Sequence, residues 1–167
     1  SDVAAQYKTL LDSIGVSRAT VVGNSQGGAI AITMALEYPE LVDKLVLMAP
    51  GGLDTRDTYM AMEGIKAMIR VLYKEGISKE TMRKVVTLQL HDESKITEEV
   101  IEERYQVAMT QHKDNIARIQ VANQENRLSE IQCPVLCFWG ANDKFCPPTG
   151  AAKIAASCPN SRTMLIA

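Results

Sequence analysis

The sequence lacks several features that would place it in a specialised class. No uninterrupted apolar run approaches the roughly 20 residues that a membrane-spanning helix requires. The formal net charge is only −2, so neither a nucleic acid nor an anionic membrane surface is expected as a partner. Repeats and low-complexity tracts are also missing. Apolar residues make up 46% of the 167 residues, which is enough for the core of one globular domain.

The four cysteines do not have the spacing of metal ligands. Cys133 and Cys137 flank an apolar run, and no histidine lies near them or near Cys146 and Cys158. No metal site is therefore predicted. We interpret the cysteines as small buried residues of a protein in the reducing cytoplasm. A disulfide or a reactive thiol is the alternative.

The feature that stands out is a serine between glycines, where a strand-like segment meets a helix-like one. The apolar, β-branched run 18–22 leads directly into Gly23-Asn24-Ser25-Gln26-Gly27. This is the pattern of a nucleophile elbow, a sharp turn that exposes the serine hydroxyl. We expect side chains at the flanking Gly23 and Gly27 to collide with the neighbouring strand and helix. Ser25 is the candidate nucleophile, and a glycine-containing turn with an incidental serine is the alternative.

The segments around this turn alternate as in an open α/β sheet. The predicted helices cover residues 2–14, 29–37 and 151–157, and the predicted strands cover residues 18–22, 44–49, 134–139 and 162–166. The second strand is almost continuously apolar, which is typical of a parallel strand that is covered on both faces. The fold class predicted is therefore α/β, with a parallel sheet flanked by helices.

The middle of the chain contains no convincing strand. Apolar spacing predicts helices over residues 59–72, 79–90, 97–110 and 113–124. Such a block between two strands predicts an all-helical lid over the carboxyl edge of the sheet, where open α/β folds bind ligands. The sequence is thus divided into three segments, which are a core part with the serine turn (1–56), the lid (57–127) and a second core part (128–167).

Asp143 is the candidate acid of a catalytic triad. It follows the third predicted strand in a polar loop that begins with Gly140, and it lies 118 positions after Ser25 (143 minus 25). Serine before aspartate matches one of the known chain orders of such triads. The alternative is a loop aspartate that only forms an Asx-turn.

No histidine follows Asp143, although a serine nucleophile needs a base. His91 and His112 precede it within the helical block, and we interpret both as solvated residues near helix ends. The strands expected before the first helix and the loop that supplies a second oxyanion N–H are missing as well. We therefore expect this chain to be a fragment of a longer hydrolase, with the histidine beyond Ala167 and with no turnover by the fragment alone.

Several stretches resemble the meta-cleavage product hydrolases, enzymes of the α/β-hydrolase fold that take part in aromatic and steroid ring degradation. The stretches are residues 23–28, 36–39 and 44–53 in the first core part, 62–66, 91–99 and Arg104 in the helical block, and 139–147 in the second core part. The resemblance covers essentially the whole chain. Asn24, the loop Pro50-Gly51-Gly52-Leu53 and Arg104 narrow it to this family.

The resemblance implies a role for each matching residue of the catalytic apparatus. Ser25 is implied to be the nucleophile, Asp143 the triad acid, and Gln26 the donor of a backbone N–H to the oxyanion hole. No metal or organic cofactor is implied.

The resemblance also implies the substrate-binding residues. Asn24 and Gly51 are implied to line the substrate channel, and Arg104 is implied to bind the dienoate carboxylate, to which its two-pronged guanidinium is suited. Phe145 either contacts the non-polar part of the substrate or belongs to the core. For Arg104 the alternative is a surface residue paired with a neighbouring glutamate.

The reaction implied is hydrolysis of a carbon–carbon bond in a 2-hydroxy-6-oxo-hexa-2,4-dienoate. The partner implied is this small-molecule substrate, and the full-length protein is expected to form a homo-oligomer, dimeric or larger. Two alternatives remain open from the residues alone. One is another serine hydrolase, such as an esterase or lactonase, and the other is an inactive binding protein that keeps the same fold.

Overall fold

The computed structural model describes residues 2–110 and 122–167. Within this part of the chain the helices are α1 (Asp2–Ser13), α2 (Gln26–Glu37), α3 (Arg56–Ala61), α4 (Glu63–Arg70), α5 (Lys79–Gln89), α6 (Glu98–Thr110) and α7 (Thr149–Ser157). The strands are β1 (Ala19–Asn24), β2 (Val42–Met48), β3 (Val135–Gly140) and β4 (Ser161–Ile166). The chain divides into two compact units, residues 1–55 with 121–167 and residues 56–120.

The first unit is built on a four-stranded parallel sheet with the strand order β1-β2-β3-β4. One row across the sheet joins Val21, Leu45, Val135 and Ser161. The apolar residues that predicted the second strand are the centre of the core, because Leu45 and Leu47 are fully buried. The α/β class and the parallel sheet flanked by helices that the sequence predicted are confirmed, and the carboxyl ends of the four strands lie at one edge.

The helices α1 and α7 begin and end within two residues of their predicted bounds, whereas α2 begins three residues before its predicted start. Gly15, at a φ of 73°, follows the end of α1, and Pro39 follows the last turn of α2. Helix α7 begins after Pro147-Pro148 and packs on β3 and β4. Gly150 allows its close approach, because a Cβ there would lie 2.2 Å from the ring of Trp139.

The second unit is helical over its described residues. α5 packs against α4 and α6, and it begins with a capping box between Ser78 and Thr81. Thr97 caps α6, since its Oγ1 accepts a hydrogen bond of 3.2 Å from the N–H of Val100. No helix among the described residues is both long enough and apolar enough to cross a membrane.

Two of the predicted helices need correction. The helix predicted over 59–72 is interrupted at Met62, whose backbone is extended, and it continues past Arg70 as the π-helical turn Val71–Glu75. Most of the helix predicted over 113–124 lies outside the described residues. Its last residues, 122–124, are not helical, and a 3-10 helix (Glu125–Glu130) follows them.

Candidate active site

Ser25 occupies a strained turn between β1 and α2. Its φ of 50° and ψ of −118° lie outside the regions that side chains usually allow. A Cβ at Gly23 would lie 2.5 Å from the carbonyl oxygen of Gly27, so the strand and the helix approach too closely for a side chain. The nucleophile elbow predicted from the sequence is therefore the conformation that this segment adopts.

The second glycine that the elbow requires is not the predicted one. A Cβ at Gly27 would meet no atom within 4 Å, so the expected clash at this position is wrong. A Cβ at Gly28 would instead lie 2.6 Å from the Cβ of Pro50. The clash occurs one residue later because Gly28 is the position of α2 that faces the loop following β2.

The end of β2 and the loop after it hold the elbow in place. The N–H of Ser25 donates to the carbonyl oxygen of Met48 at 3.0 Å, and the N–H of Gly51 donates to the carbonyl oxygen of Ser25 at 2.8 Å. The side-chain amide of Asn24 also donates to Met48, at 3.0 Å. Asn24 and Gly51 thus lie beside Ser25, and each is hydrogen-bonded to the backbone of the elbow or of the end of β2.

Gln26 is the first residue of α2, immediately after Ser25. The N–H groups of a helix's first turn have no partner within the helix, and the helix dipole adds partial positive charge there. The N–H of Gln26 therefore lies at the partially positive end of α2, next to Ser25.

Asp143 lies in the loop between β3 and α7, and its own loop fixes its carboxylate. Oδ1 accepts hydrogen bonds from the N–H groups of Phe145 at 2.7 Å and Cys146 at 3.0 Å. The Asx-turn considered as the alternative is thus present. Oδ2 makes no hydrogen bond to any described residue, so it is left to receive an N–H from another group.

Cys146 joins the serine turn to the acid loop, which is the loop of Asp143 between β3 and α7. Cys146 and Ser25 are 121 positions apart in the sequence. Its Sγ lies 4.0 Å from the Oγ of Ser25, and its carbonyl oxygen accepts a hydrogen bond of 3.3 Å from the indole of Trp139. Cys146 was not predicted from the sequence to lie at the site. The available signal was its position three residues after Asp143.

The Cys146 thiol lies beside Ser25 as a protonated, uncharged group and is not itself a nucleophile. Burial raises the pKa of Cys146 to about 12, the charge of Asp143 adds to this rise, and the contact with Ser25 opposes it. A thiol with this pKa carries almost no thiolate at neutral pH. Cys137 and Cys158 are also buried, and all four cysteines are free, so burial is confirmed for three of them.

The remaining predicted residues are divided between the units. Phe145 is half-buried in the acid loop of the first unit. Arg104 lies on α6 in the second unit, where it is exposed, and its side chain makes no ion pair with a described residue. His91 is exposed as predicted, and His112 lies outside the described residues. In the described part of the chain no group of acidic, cysteine or histidine side chains has the arrangement of a metal site.

Comparison with known proteins supports the predicted fold and the predicted family resemblance. The family model for the alpha/beta hydrolase fold matches residues 1–167. The 2-hydroxy-6-oxo-6-phenylhexa-2,4-dienoate hydrolase of Comamonas testosteroni is 37% identical over 169 aligned residues, which cover 95% of this chain and 58% of that protein. A 2-hydroxy-6-oxononadienedioate/2-hydroxy-6-oxononatrienedioate hydrolase from the same species is 35% identical with the same coverage.

A solved structure gives the same fold at lower identity. The crystal structure of a 2-hydroxy-6-oxo-6-phenylhexa-2,4-dienoate hydrolase from a Rhodococcus strain superposes with a TM-score of 0.79 at 19% identity, over 98% of this chain and 60% of that one. The chain thus spans less than two thirds of the length of these relatives. The relatives confirm the predicted resemblance to meta-cleavage product hydrolases, and the match over all 167 residues shows that the chain belongs to the alpha/beta hydrolase fold family.

Proposed function

We propose that this chain supplies the nucleophile and the triad acid of a carbon–carbon bond hydrolase that acts on 2-hydroxy-6-oxo-hexa-2,4-dienoates. The observation that carries the proposal is the strained elbow of Ser25, which contacts the Asp143 loop through Cys146. The substrate class comes from the relatives, whose names specify dienoate hydrolases.

The chemistry follows from the groups at this edge of the sheet. The dienol is first ketonised, which makes an electron sink next to the bond that breaks. Water or Ser25 then attacks the carbonyl carbon C6, with proton transfer by a histidine that the full-length protein supplies. The N–H of Gln26 stabilises the resulting oxyanion, and Oδ2 of Asp143 orients the histidine. Addition of one water across the cleaved bond gives a 2-hydroxypentadienoate and a carboxylic acid.

Substrate binding is assigned to four residues. We propose that Asn24 and Gly51 line the channel to Ser25, which agrees with their hydrogen bonds at the elbow. Phe145 is proposed to contact the non-polar group on C6. Arg104 is proposed to bind the dienoate carboxylate, because a guanidinium that forms no ion pair with a described residue can make two parallel hydrogen bonds to it.

We further propose that residues 57–127 act as a lid and that the full-length protein is a cytoplasmic homo-oligomer. A lid would exclude water while the dienol is ketonised. The cytoplasmic assignment is supported by the four free cysteines, which are typical of a reducing compartment.

The test is turnover of 2-hydroxy-6-oxo-6-phenylhexa-2,4-dienoate by the full-length protein, measured as the loss of the dienoate colour. We expect Ser25→Ala to lower kcat by at least about a thousandfold. Arg104→Gln is expected to lower kcat/KM for the dienoate by about 10- to 100-fold and to slow ketonisation, because a charged hydrogen bond to the substrate is lost. Arg70→Gln is the matched control, since Arg70 lies in the same unit and already pairs with Glu75 at 2.8 Å.

A neutral ester, p-nitrophenyl acetate, separates the alternatives. Hydrolysis of the ester by a protein that leaves the dienoate intact indicates an esterase or lactonase. A folded full-length protein that hydrolyses neither compound indicates an inactive binding protein. Parental rates for Ser25→Ala with the dienoate contradict the proposed mechanism outright.

A further inference from the structure

Lys153 on α7 holds together two segments that are far apart in the sequence. Its Nζ donates hydrogen bonds to the carbonyl oxygen of Leu53 at 2.6 Å, to Oδ1 of Asp54 at 2.9 Å and to Oε2 of Glu125 at 3.1 Å. All three donors of the ammonium are therefore used. The side chain of Lys153 is only 23% exposed and that of Asp54 only 17%, so water screens this cluster less than it screens surface ion pairs.

These two segments are where the chain passes between its units. Leu53 and Asp54 immediately precede the departure of the chain into residues 56–120, and Glu125 follows its return. A second link lies beside the first, because the N–H of Gln124 donates to the carbonyl oxygen of Gly52 at 2.7 Å. The segment that leaves the first unit and the segment that returns to it are thus fixed to each other and to α7.

The same cluster is connected to the elbow. Gly51, two residues before Leu53, donates to the carbonyl oxygen of Ser25. The buried side chain of Gln124 also donates to the carbonyl oxygen of Ala29 at 3.0 Å, and its Oε1 accepts from Thr33 at 2.9 Å, so it is bound to the helix that follows the nucleophile. A displacement of the loop 51–54 therefore moves both the support of Ser25 and the point where the helical unit begins.

We propose that Lys153 is a positioning residue for the reaction, acting through the loop 51–54 on the Ser25 elbow and on the two passages of the chain between its units. The proposal rests on the proposed function as far as the substrate is concerned. Lys153 does not act as a catalytic base, because its three donors are engaged and it remains an ammonium. Burial opposes this charge, but the hydrogen bonds to Asp54 and Glu125 outweigh burial and raise the pKa of Lys153.

Asp54 depends on this lysine. Its Oδ2 is buried and has no hydrogen-bond partner among the described residues, so the contact of Oδ1 with Lys153 provides its compensation. Lys153→Met keeps the length of the side chain but leaves the Asp54 carboxylate without a counter-charge. A loss of stability is therefore expected for any role of Lys153, and the test needs a second readout.

The kinetic test uses the full-length protein with 2-hydroxy-6-oxo-6-phenylhexa-2,4-dienoate, well below the unfolding temperature of each variant. We expect Lys153→Met to lower kcat/KM by about tenfold or more, with a higher KM, because the loop that lines the channel is displaced. Lys8→Met is the matched control, since Lys8 forms an exposed pair with Asp12 on α1. Folded Lys153→Met with kcat and KM within about twofold of the parent overturns the proposal.

The double variant Lys153→Met/Asp54→Asn separates positioning from stability. Removing the uncompensated carboxylate should restore much of the stability, while KM should stay raised because nothing ties residues 51–54 to α7. Parental KM in the stabilised double variant means that Lys153 only supports the fold, and it overturns the proposal.

Amide hydrogen exchange tests the positioning independently of the substrate. In Lys153→Met we expect exchange of the amides of residues 51–55 and 124–126 to accelerate by about tenfold or more, with little change in α1. If the parent does not turn over the dienoate, the proposed function fails, but faster exchange in these segments still supports the connection made by Lys153. Unchanged exchange overturns it.

Discussion

The loops that carry Ser25 and Asp143 leave the same edge of one parallel sheet, yet they are held in place in different ways. Besides its backbone hydrogen bonds to Met48 and Gly51, the elbow is fixed by steric exclusion, because Gly23 and Gly28 leave no room for a Cβ. The acid loop is fixed by hydrogen bonds, two to Oδ1 of Asp143 and one from the indole of Trp139. Steric exclusion fails abruptly, whereas hydrogen bonds can be removed one at a time. We therefore expect the two loops to respond differently to substitution.

The largest effect is expected for Gly28→Ala in the elbow. The new Cβ would lie 2.6 Å from the Cβ and 2.8 Å from the Cα of Pro50, which is itself fully buried, so backbone atoms must move. We expect the free energy of unfolding to fall by about 2–4 kcal/mol, as measured by urea unfolding of the full-length protein. A loss below about 0.5 kcal/mol would show that the elbow relaxes easily and would remove the contrast with the acid loop.

A smaller loss of unfolding free energy is expected for substitutions of Asp143 in the acid loop, and its size should depend on how many hydrogen bonds are removed. Asp143→Ala leaves the N–H groups of Phe145 and Cys146 without their acceptor and should cost about 1–3 kcal/mol of unfolding free energy. Asp143→Asn keeps an oxygen acceptor, so it should cost less than about 1 kcal/mol. Under the proposed function, Asp143→Asn in the full-length protein should nevertheless lower kcat by about 10³- to 10⁴-fold, because it removes the charge that is proposed to orient a histidine.

The pair of Asp143 variants separates structure from catalysis at one position. Urea unfolding measures the first, and turnover of the dienoate measures the second. Equal destabilisation by the alanine and asparagine variants would mean that the carboxylate charge, and not its hydrogen bonds, holds the loop.

These two loops also show what the sequence could and could not predict. The strands were predictable because their apolar runs are local: residues 44–49 were predicted as a strand, and β2 is Val42–Met48. Ser25 was predictable because a strained turn between a strand and a helix needs a particular local sequence. The break of the helix at Met62 was not predictable, since no proline marks it, the nearby Gly64 lies within α4, and the apolar spacing continues across it.

The errors at the site have a common cause, which is contact between residues distant in sequence. Gly28, and not Gly27, is the glycine that packing requires, because the pairing of β1 with β2 brings Pro50 against α2. Ser25 follows β1 and Cys146 follows β3, and only β2 lies between these two strands in the sheet, so the two residues come into contact. Neither neighbour can be read from residues near the serine. The roles proposed for Arg104 and for the helical lid remain predictions.

A third prediction uses pH, to which the acid loop should respond and the elbow should not. The elbow sequence Gly23-Asn24-Ser25-Gln26-Gly27 contains no ionisable side chain, whereas burial raises the pKa of Cys146 to about 12. An unfolded thiol ionises near pH 8.5, so between about 8.5 and about 12 the unfolded state binds fewer protons than the folded state. Stability is therefore lost as the pH rises through this window, by up to about 1.4 kcal/mol per pH unit for this thiol.

Urea unfolding at about pH 7.5 and about pH 10 measures this effect as a difference between variants. Cys146→Ala should make the loss of stability with rising pH less steep, although it also removes some packing at both pH values. Cys133→Ala is the control, because Cys133 is only partly buried and should change the slope less. A slope that is the same in the parent and in Cys146→Ala would contradict a buried, protonated thiol beside Ser25.

The smallest effect is expected for Gly27→Ala, and it is the sharpest control for the elbow. Gly27 neighbours Gly28 on α2, but a Cβ there would meet no atom within 4 Å, and its φ is not positive. Alanine also favours a helix over glycine by up to about 1 kcal/mol. We therefore expect Gly27→Ala to leave stability unchanged or to raise it by less than about 1 kcal/mol, in the same urea experiment that shows the loss in Gly28→Ala. If the two alanines cost the same, the loss in Gly28→Ala reflects the helix as a whole, and steric exclusion by Pro50 is not what fixes the nucleophile.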